Sequence, residues 1–229
     1  MTVPAVPLRT FKHRRGRITT GQQRALDSLW GRYGVELTTR PINTPLIYAR
    51  RAPLVLEIGF GMGEATVAMA AASPDDDVLA VDVHTPGAGA LLREVNRMGL
   101  RNVRVVVGDA VLVLRDMIEP ESLKELRVLF PDPWPKAKHR KRRLLTPRFA
   151  RLAATRLRLG GRLCCATDCK PYAEQMLAVV AGEPLLRNEC EGYAPRPADR
   201  PITRFERQAL ANGNQTYDVL ATRVRPGEQ

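Results

Sequence analysis

At 229 residues and 44% hydrophobic content, the chain suits one large globular domain, and it has no run of eighteen apolar residues to make a transmembrane helix. Its net charge is +12, and the excess sits in two places: residues 1–26 and 136–143 each hold six Lys or Arg and no acid. Taking those twelve from the 36 basic residues leaves 24, matched by 24 Asp and Glu, so the body is neutral and the focused charge points to a polyanion, nucleic acid first.

In chain order, residues 1–25 read as a flexible basic arm containing Gly16 and Gly21, and 26–229 as a single domain. The arm lacks the apolar stretch of a secretory signal. Residues 26–50 read as partly helical, then loop-like around Pro41 and Pro45. From residue 53 strand and helix alternate: strands over Leu54–Ile58, Asp77–Val83, Val103–Val107, Arg127–Phe130 and Arg162–Thr167, with helices over Glu64–Ala72, Gly87–Met98, Arg148–Leu159 and Tyr172–Val180. Gly160-Gly161 would end the third of those helices. Segments 185–192 and Tyr217–Arg223 would add antiparallel strands at the C-terminal end. This order predicts a doubly wound, mostly parallel α/β sheet. Cys164 and Cys165 fall in a buried strand; the four cysteines form no CxxC pair and no His cluster joins them, so no metal site is expected, and a reduced cytoplasm is.

Ligands of such sheets bind beyond the carboxyl ends of the strands. Five carboxylates fall there, one per strand: Glu57, Asp82, Asp109, Asp132 and Asp168. Gly59-Phe60-Gly61-Met62-Gly63 is a glycine turn between strand and helix, where backbone can approach a ligand closely. Dinucleotide enzymes use a related turn, but Glu57 at its entrance would repel a pyrophosphate and attract a cationic amino group. Asp82 suits a ribose diol, and Asp109 an adenine amino group. Adenine, ribose, a sulfonium and an amino group together describe S-adenosylmethionine.

Leu129–Arg143, LFPDPWPKAKHRKRR, carries the most information. Three prolines fix Asp132 and Trp134 in a stiff loop beside a dense cationic patch. Trp134 would either stack on a base or anchor the loop in the core. His84 reads as a structural helix start, and Thr203 as the cap of a helix containing Phe205 and Leu210.

LEIGFGMGEAT, VDVHTPGAG, GDAVLVL, PDPWPKAKHRKRR, ATDCKPYAEQML and TRFERQAL, in this order and preceded by TFKHRRGRITTGQQ, resemble the tRNA (guanine-N7)-methyltransferase family. The resemblance implies a Rossmann-like class I methyltransferase that uses S-adenosylmethionine to form 7-methylguanosine at nucleotide 46 of the tRNA variable loop. It implies that Glu57, Gly59, Asp82, Asp109 and Asp132 meet the cofactor or the reacting centre, with Asp132 catalytic. It further implies that Lys136, Asp168, Thr203, Arg204, Phe205 and Glu206 meet the RNA. Three positions depart from the family pattern: Asp82 stands where Glu is usual, Lys138 where Arg is commoner, and Pro135 follows Trp134. No obligate protein partner is expected, and monomer and homodimer both fit. Competing readings are an exocyclic amino-methyltransferase, a non-catalytic RNA-binding module and a dehydrogenase.

Overall fold

The computed structural model describes residues 10–11 and 16–228. A seven-stranded sheet forms the centre: β1 (Leu54–Ile58), β2 (Asp77–Asp82), β3 (Val103–Val107), β4 (Leu123–Leu129), β5 (Leu157–Thr167), β6 (Leu186–Asn188) and β7 (Tyr217–Arg223). Their spatial order is β3-β2-β1-β4-β5-β7-β6. The first five strands pair in parallel; β7 runs against both of its neighbours. The order reverses between β1 and β4, the place where doubly wound sheets open a crevice.

Each sheet face has its own core. On one face α1 (Thr20–Tyr33), α3 (Glu64–Ala72) and α4 (Thr85–Arg97) cover Val55, Val78, Ala80, Val103 and Val105. On the other, α6 (Pro147–Arg156), α7 (Lys170–Ala181) and a turn pair at 110–117, short α5 (Ala110–Leu112) continuing into a π turn, cover Leu56, Leu126, Val128, Leu163 and Cys165. α2 (Thr44–Tyr48) adds Tyr48 to this second core. Alternate residues of each strand therefore go to opposite faces, as the period of two demands. Burial pushes the Cys165 thiol up to about 12, so it packs as a small hydrophobe. Among the described residues no helix is long and apolar enough to cross a membrane.

Among the boundaries that differ from expectation, three have a clear physical reason. Residues 20–25, assigned to the arm, open α1. Thr19 accepts from the Gln22 backbone while the Gln22 side chain accepts from Thr19 N–H, a reciprocal cap of about 1 kcal/mol, and Gln22 and Ala25 are buried. The helix expected over 148–159 ends at Arg156. Leu157 is fully buried and pairs with Leu123, so the chain is already strand there. Gly160, at φ 74°, takes up the register shift between the Leu123 and Glu125 pairings; the two glycines serve a bulge, not a helix end. β4 likewise begins at Leu123, four residues before its expected start, because Leu123 and Leu126 both enter the core.

Candidate active site

The glycine turn leaves β1 with Gly59, Gly61 and Gly63 at φ 84°, 57° and 85°, a conformation that costs any other residue a Cβ clash. Asp82, at the end of β2, holds this turn. Its Oδ2 accepts from Gly61 N–H at 2.9 Å and its Oδ1 from His84 N–H at 3.1 Å. One carboxylate thus ties the turn to the start of α4, where His84 is the cap residue and, as expected, structural on its backbone side. The two segments touch so closely that a methyl on Gly87 would lie 1.9 Å from Gly61 O. Gly87 was not singled out in the sequence; its signal was the small-residue run after Pro86.

Glu57 is 3% exposed, and its Oε2 has no hydrogen-bond partner. Burial pushes its carboxyl above the ordinary glutamate value, while Arg127, its register partner on β4, and the nearby Thr66 hydroxyl oppose the shift; that hydroxyl lies too far or too poorly aligned to complete a bond to Oε2. A buried carboxylate oxygen without a donor is costly unless a ligand supplies one. Glu57 lines a cavity together with the glycine turn, Phe130 and Thr203–Phe205. An adjoining cavity is bounded by Gly59, Gly61, Asp82, Gly108, Asp132 and Phe205. Asp109 caps α5, its Oδ1 accepting from Val111 N–H at 2.9 Å; its neighbours Gly108 and Ala110, rather than its own side chain, line the cavity.

The proline loop is strained at both ends. Phe130 and Trp134, each preceding a proline, have φ 52° and 43°. Between them Asp132 is half-buried and faces two cavities, the one shared with Asp82 and another shared with Asp168, Phe205 and Gln208. Of the two readings for Trp134, anchoring is observed. The ring is 6% exposed, its Nε1–H donates to Thr10 O at 3.3 Å, and the Arg142 guanidinium lies 3.8 Å from its centroid. Arg142 also donates to Phe11 O, so Thr10 and Phe11 of the arm dock on this loop and line the cavity of Asp82 and Asp132. Arg17, the one charged residue among those described before α1, is exposed; Arg9, Lys12, Arg14 and Arg15 lie outside the described residues.

The basic run divides in two. Lys136, Lys138, Arg140 and Lys141 are exposed, in or beside a 3-10 turn over Ala137–Arg142. Arg143 is 2% exposed and donates to Pro133 O, Pro171 O and Gln175 Oε1, which pins the proline loop to α7. It is an internal strut, not a surface cation. Sequence alone gave no way to separate it from its neighbours.

The structure brings Asp168, exposed at the end of β5, to the Asp132 cavity; Lys136 lines no cavity described here. Thr203 caps α8 (Arg204–Ala211), accepting from Glu206 N–H at 3.1 Å, as expected. Thr203, Arg204 and Phe205 face the Glu57 cavity. Glu206, grouped with the RNA-facing residues, points inward instead: it is fully buried and ion-paired with Arg196 and Arg200. Helical period accounts for this, since one residue beyond the exposed Phe205 the helix turns its face to the core. Among the described residues no group of His, Cys, Asp and Glu is arranged to hold a metal ion.

A glycine turn at the head of β1 and acids at the carboxyl ends of the parallel strands define a class I methyltransferase. The fold agrees: an rRNA methylase from Streptococcus thermophilus superposes with TM-score 0.52 at 15% identity, covering 76% of this chain and 88% of that one. The aminoglycoside resistance methyltransferase NpmB1 gives 0.53 at 15%, covering 81% and 95%. Residues 51–219 match a family model described as putative methyltransferase. The tRNA (guanine-N(7)-)-methyltransferase of Streptomyces avermitilis is 52% identical over 97% of this chain and 77% of its own length. That of Nitrosospira multiformis is 48% identical over 95% of each. The chain belongs to the tRNA (guanine-N7)-methyltransferase family.

Gly87→Ala is expected to push the glycine turn out of place. Calorimetry should show affinity for S-adenosylmethionine falling at least about tenfold, whereas Gly31→Ala, in α1 with open space around it and an ordinary helical backbone, should leave it within about twofold.

Proposed function

We propose that this chain methylates N7 of guanine 46 in the tRNA variable loop, with Glu57 and Asp82 holding the donor and Asp132 at the reacting base. The single observation that carries the reading is the unpartnered Glu57 oxygen buried at the head of a cavity that continues to Asp132. S-adenosylmethionine, when bound, supplies an electrophilic methyl on a sulfonium. Its cationic amino group would give Glu57 Oε2 a charged donor, which no neighbouring side chain supplies at bonding geometry. Asp82 keeps lone pairs for a ribose diol while both its oxygens accept from backbone N–H groups. One carbon shorter than the usual Glu, it is held in place by those bonds. Asp109, engaged as a cap, presents the Gly108 and Ala110 backbone to an adenine ring.

Guanine N7 carries a lone pair and has no proton to lose, so the chain needs no general base and its residues work by alignment. The ring becomes cationic on methylation, and the Asp132 carboxylate stabilises that charge. Phe205, 39% exposed and bordering all three cavities, offers the aromatic face on which a base extruded from the tRNA core can stack. Trp134, sealed under Arg142, leaves that role to it. Asp168 accepts from the base edge across the cavity it shares with Asp132. Lys136, Lys138, Arg140 and Lys141 meet phosphates, with Thr203 and Arg204 on the opposite wall. All these groups come from one chain, so the site is complete in a monomer and in each half of a homodimer. A tRNA substrate and unpaired cysteines fit a cytoplasmic enzyme.

Transfer of labelled methyl to unmodified tRNA followed by nucleoside mapping tests the reading: label in 7-methylguanosine at position 46 supports it, and label elsewhere or none overturns it. Asp132→Ala should lower kcat by about 100-fold with tRNA affinity nearly unchanged; equal loss of both removes its assigned role. Because Glu57 must be ionised to hold a cation, affinity for S-adenosylmethionine should be full above its raised pKa and fall as pH drops through it. Glu57→Gln should weaken binding and flatten that profile, and a wild-type profile with no acid limb would count against it. Replacing Lys138, Arg140 and Lys141 together by Ala should reduce the salt dependence of tRNA binding by roughly two in log–log slope, whereas an unchanged slope places phosphates elsewhere.

A further inference from the structure

α8 forms one wall of the cavity proposed for the base, yet it has almost no apolar anchorage. Of its eight residues only Glu206 and Ala209 are buried, while Phe205 and Leu210 are 39% and 50% exposed. A helix of this kind takes its position from whatever holds its one buried charge. That charge sits in a cluster with Arg200 at the centre. Arg200 Nη1 donates to Glu206 Oε2 at 2.7 Å and Nη2 to Glu206 Oε1 at 3.0 Å, a bidentate pair. Nη2 also donates to Asp218 Oδ2 of β7 at 3.1 Å. The same guanidinium lies 5.6 Å from the centroid of the Phe130 ring. Arg196, closer to solvent, adds a bond from its Nε to Glu206 Oε1 at 2.7 Å. Arg200, Glu206 and Asp218 are 6%, 0% and 3% exposed.

One planar group therefore joins the base-cavity helix, the edge of the sheet and the residue next to Pro131-Asp132. Phe130 is itself fixed to the sheet, its N–H donating to Ala166 O at 2.8 Å, and its backbone is left-handed. A guanidinium has the fork to satisfy a bidentate carboxylate and a second carboxylate in one plane; an ammonium does not. We infer that Arg200 is a positioning residue for methyl transfer, setting the separation between Phe205 on α8 and Asp132 on the proline loop, and hence the width of the cavity in which the guanine lies. Glu206 then serves the substrate through Arg200, without touching it. The inference rests on the functional reading above, since it assigns that cavity to the base. Burial alone would give these carboxylates a structural task; the contact with Phe130 and the sparse core of α8 give the cluster a second one.

The test uses the full chain with Arg200→Lys and Asp218→Asn. Neither side chain lines the cofactor or base cavities, and Asp218→Asn keeps both bonds from Arg200 to Glu206, so it decides the matter if Arg200→Lys does not fold. Melting temperature, calorimetric affinity for S-adenosylmethionine, and kcat and KM on unmodified tRNA are measured. In folded variants kcat should fall by about 10- to 100-fold, the effect of misplacing a reacting pair by an ångström, while affinity for S-adenosylmethionine stays within about twofold. Wild-type kinetics in the folded variants overturn the inference, as does cofactor affinity falling in step with kcat. An inactive wild-type chain would overturn the functional reading and this inference with it, whereas an active wild type with unaltered variants overturns this inference alone.

Discussion

Parallel pairing of the first five strands is the constraint on which this site depends. It sends every strand's carboxyl end to one edge, so Glu57, Asp82, Asp109, Asp132 and Asp168, spread over more than a hundred residues, come to lie along one crevice. Such a gathering of acids would be self-repelling if each were left to itself. The molecule assigns them separate partners. Asp82 accepts from two backbone N–H groups and Asp109 from one, while Arg127 faces Glu57 across the strand pair. Of these five acids, Glu57 keeps a buried oxygen without a hydrogen-bond donor. An unsatisfied carboxylate costs stability in the free protein, a cost that the cationic donor proposed above would recover.

The cations show a parallel division. Sequence presents Lys136–Arg143 as one basic run, but folding separates it by exposure. Exposed Lys138, Arg140 and Lys141 are free to meet phosphates. Arg142 covers Trp134, and Arg143 bonds carbonyls of the proline loop and α7. Arg200 does similar work on the opposite wall. Guanidinium groups therefore brace both sides of the cavity proposed for the base. For the proposed chemistry, which asks only for alignment of a lone pair and a methyl, stiff walls would be the catalytic device.

Much of this was legible in the sequence because the signals were local. Short Val- and Leu-rich runs set β1, β3 and β7 to the residue, and the glycine turn and PDPW loop fell where parallel topology places a site. What was not legible depended on contacts across the chain. The end of α6 was set by pairing of Leu157 with Leu123 and not by Gly160-Gly161. The inward turn of Glu206 required Arg200, which reaches it from a preceding loop and is itself bonded to Asp218 of a later strand. The docking of Thr10 and Phe11 on Trp134 joins positions more than a hundred residues apart, which no local pattern signals. Thr203, by contrast, was readable as a cap because capping needs only three residues of neighbouring backbone.

The most direct measurement is a crystal structure of the chain bound to S-adenosylmethionine. The account predicts the donor's amino nitrogen within about 3 Å of Glu57 Oε2, its ribose at Asp82, and its methyl directed into the cavity between Asp132 and Phe205. A donor bound with Glu57 still unpartnered, or with its methyl turned away from Asp132, would contradict it.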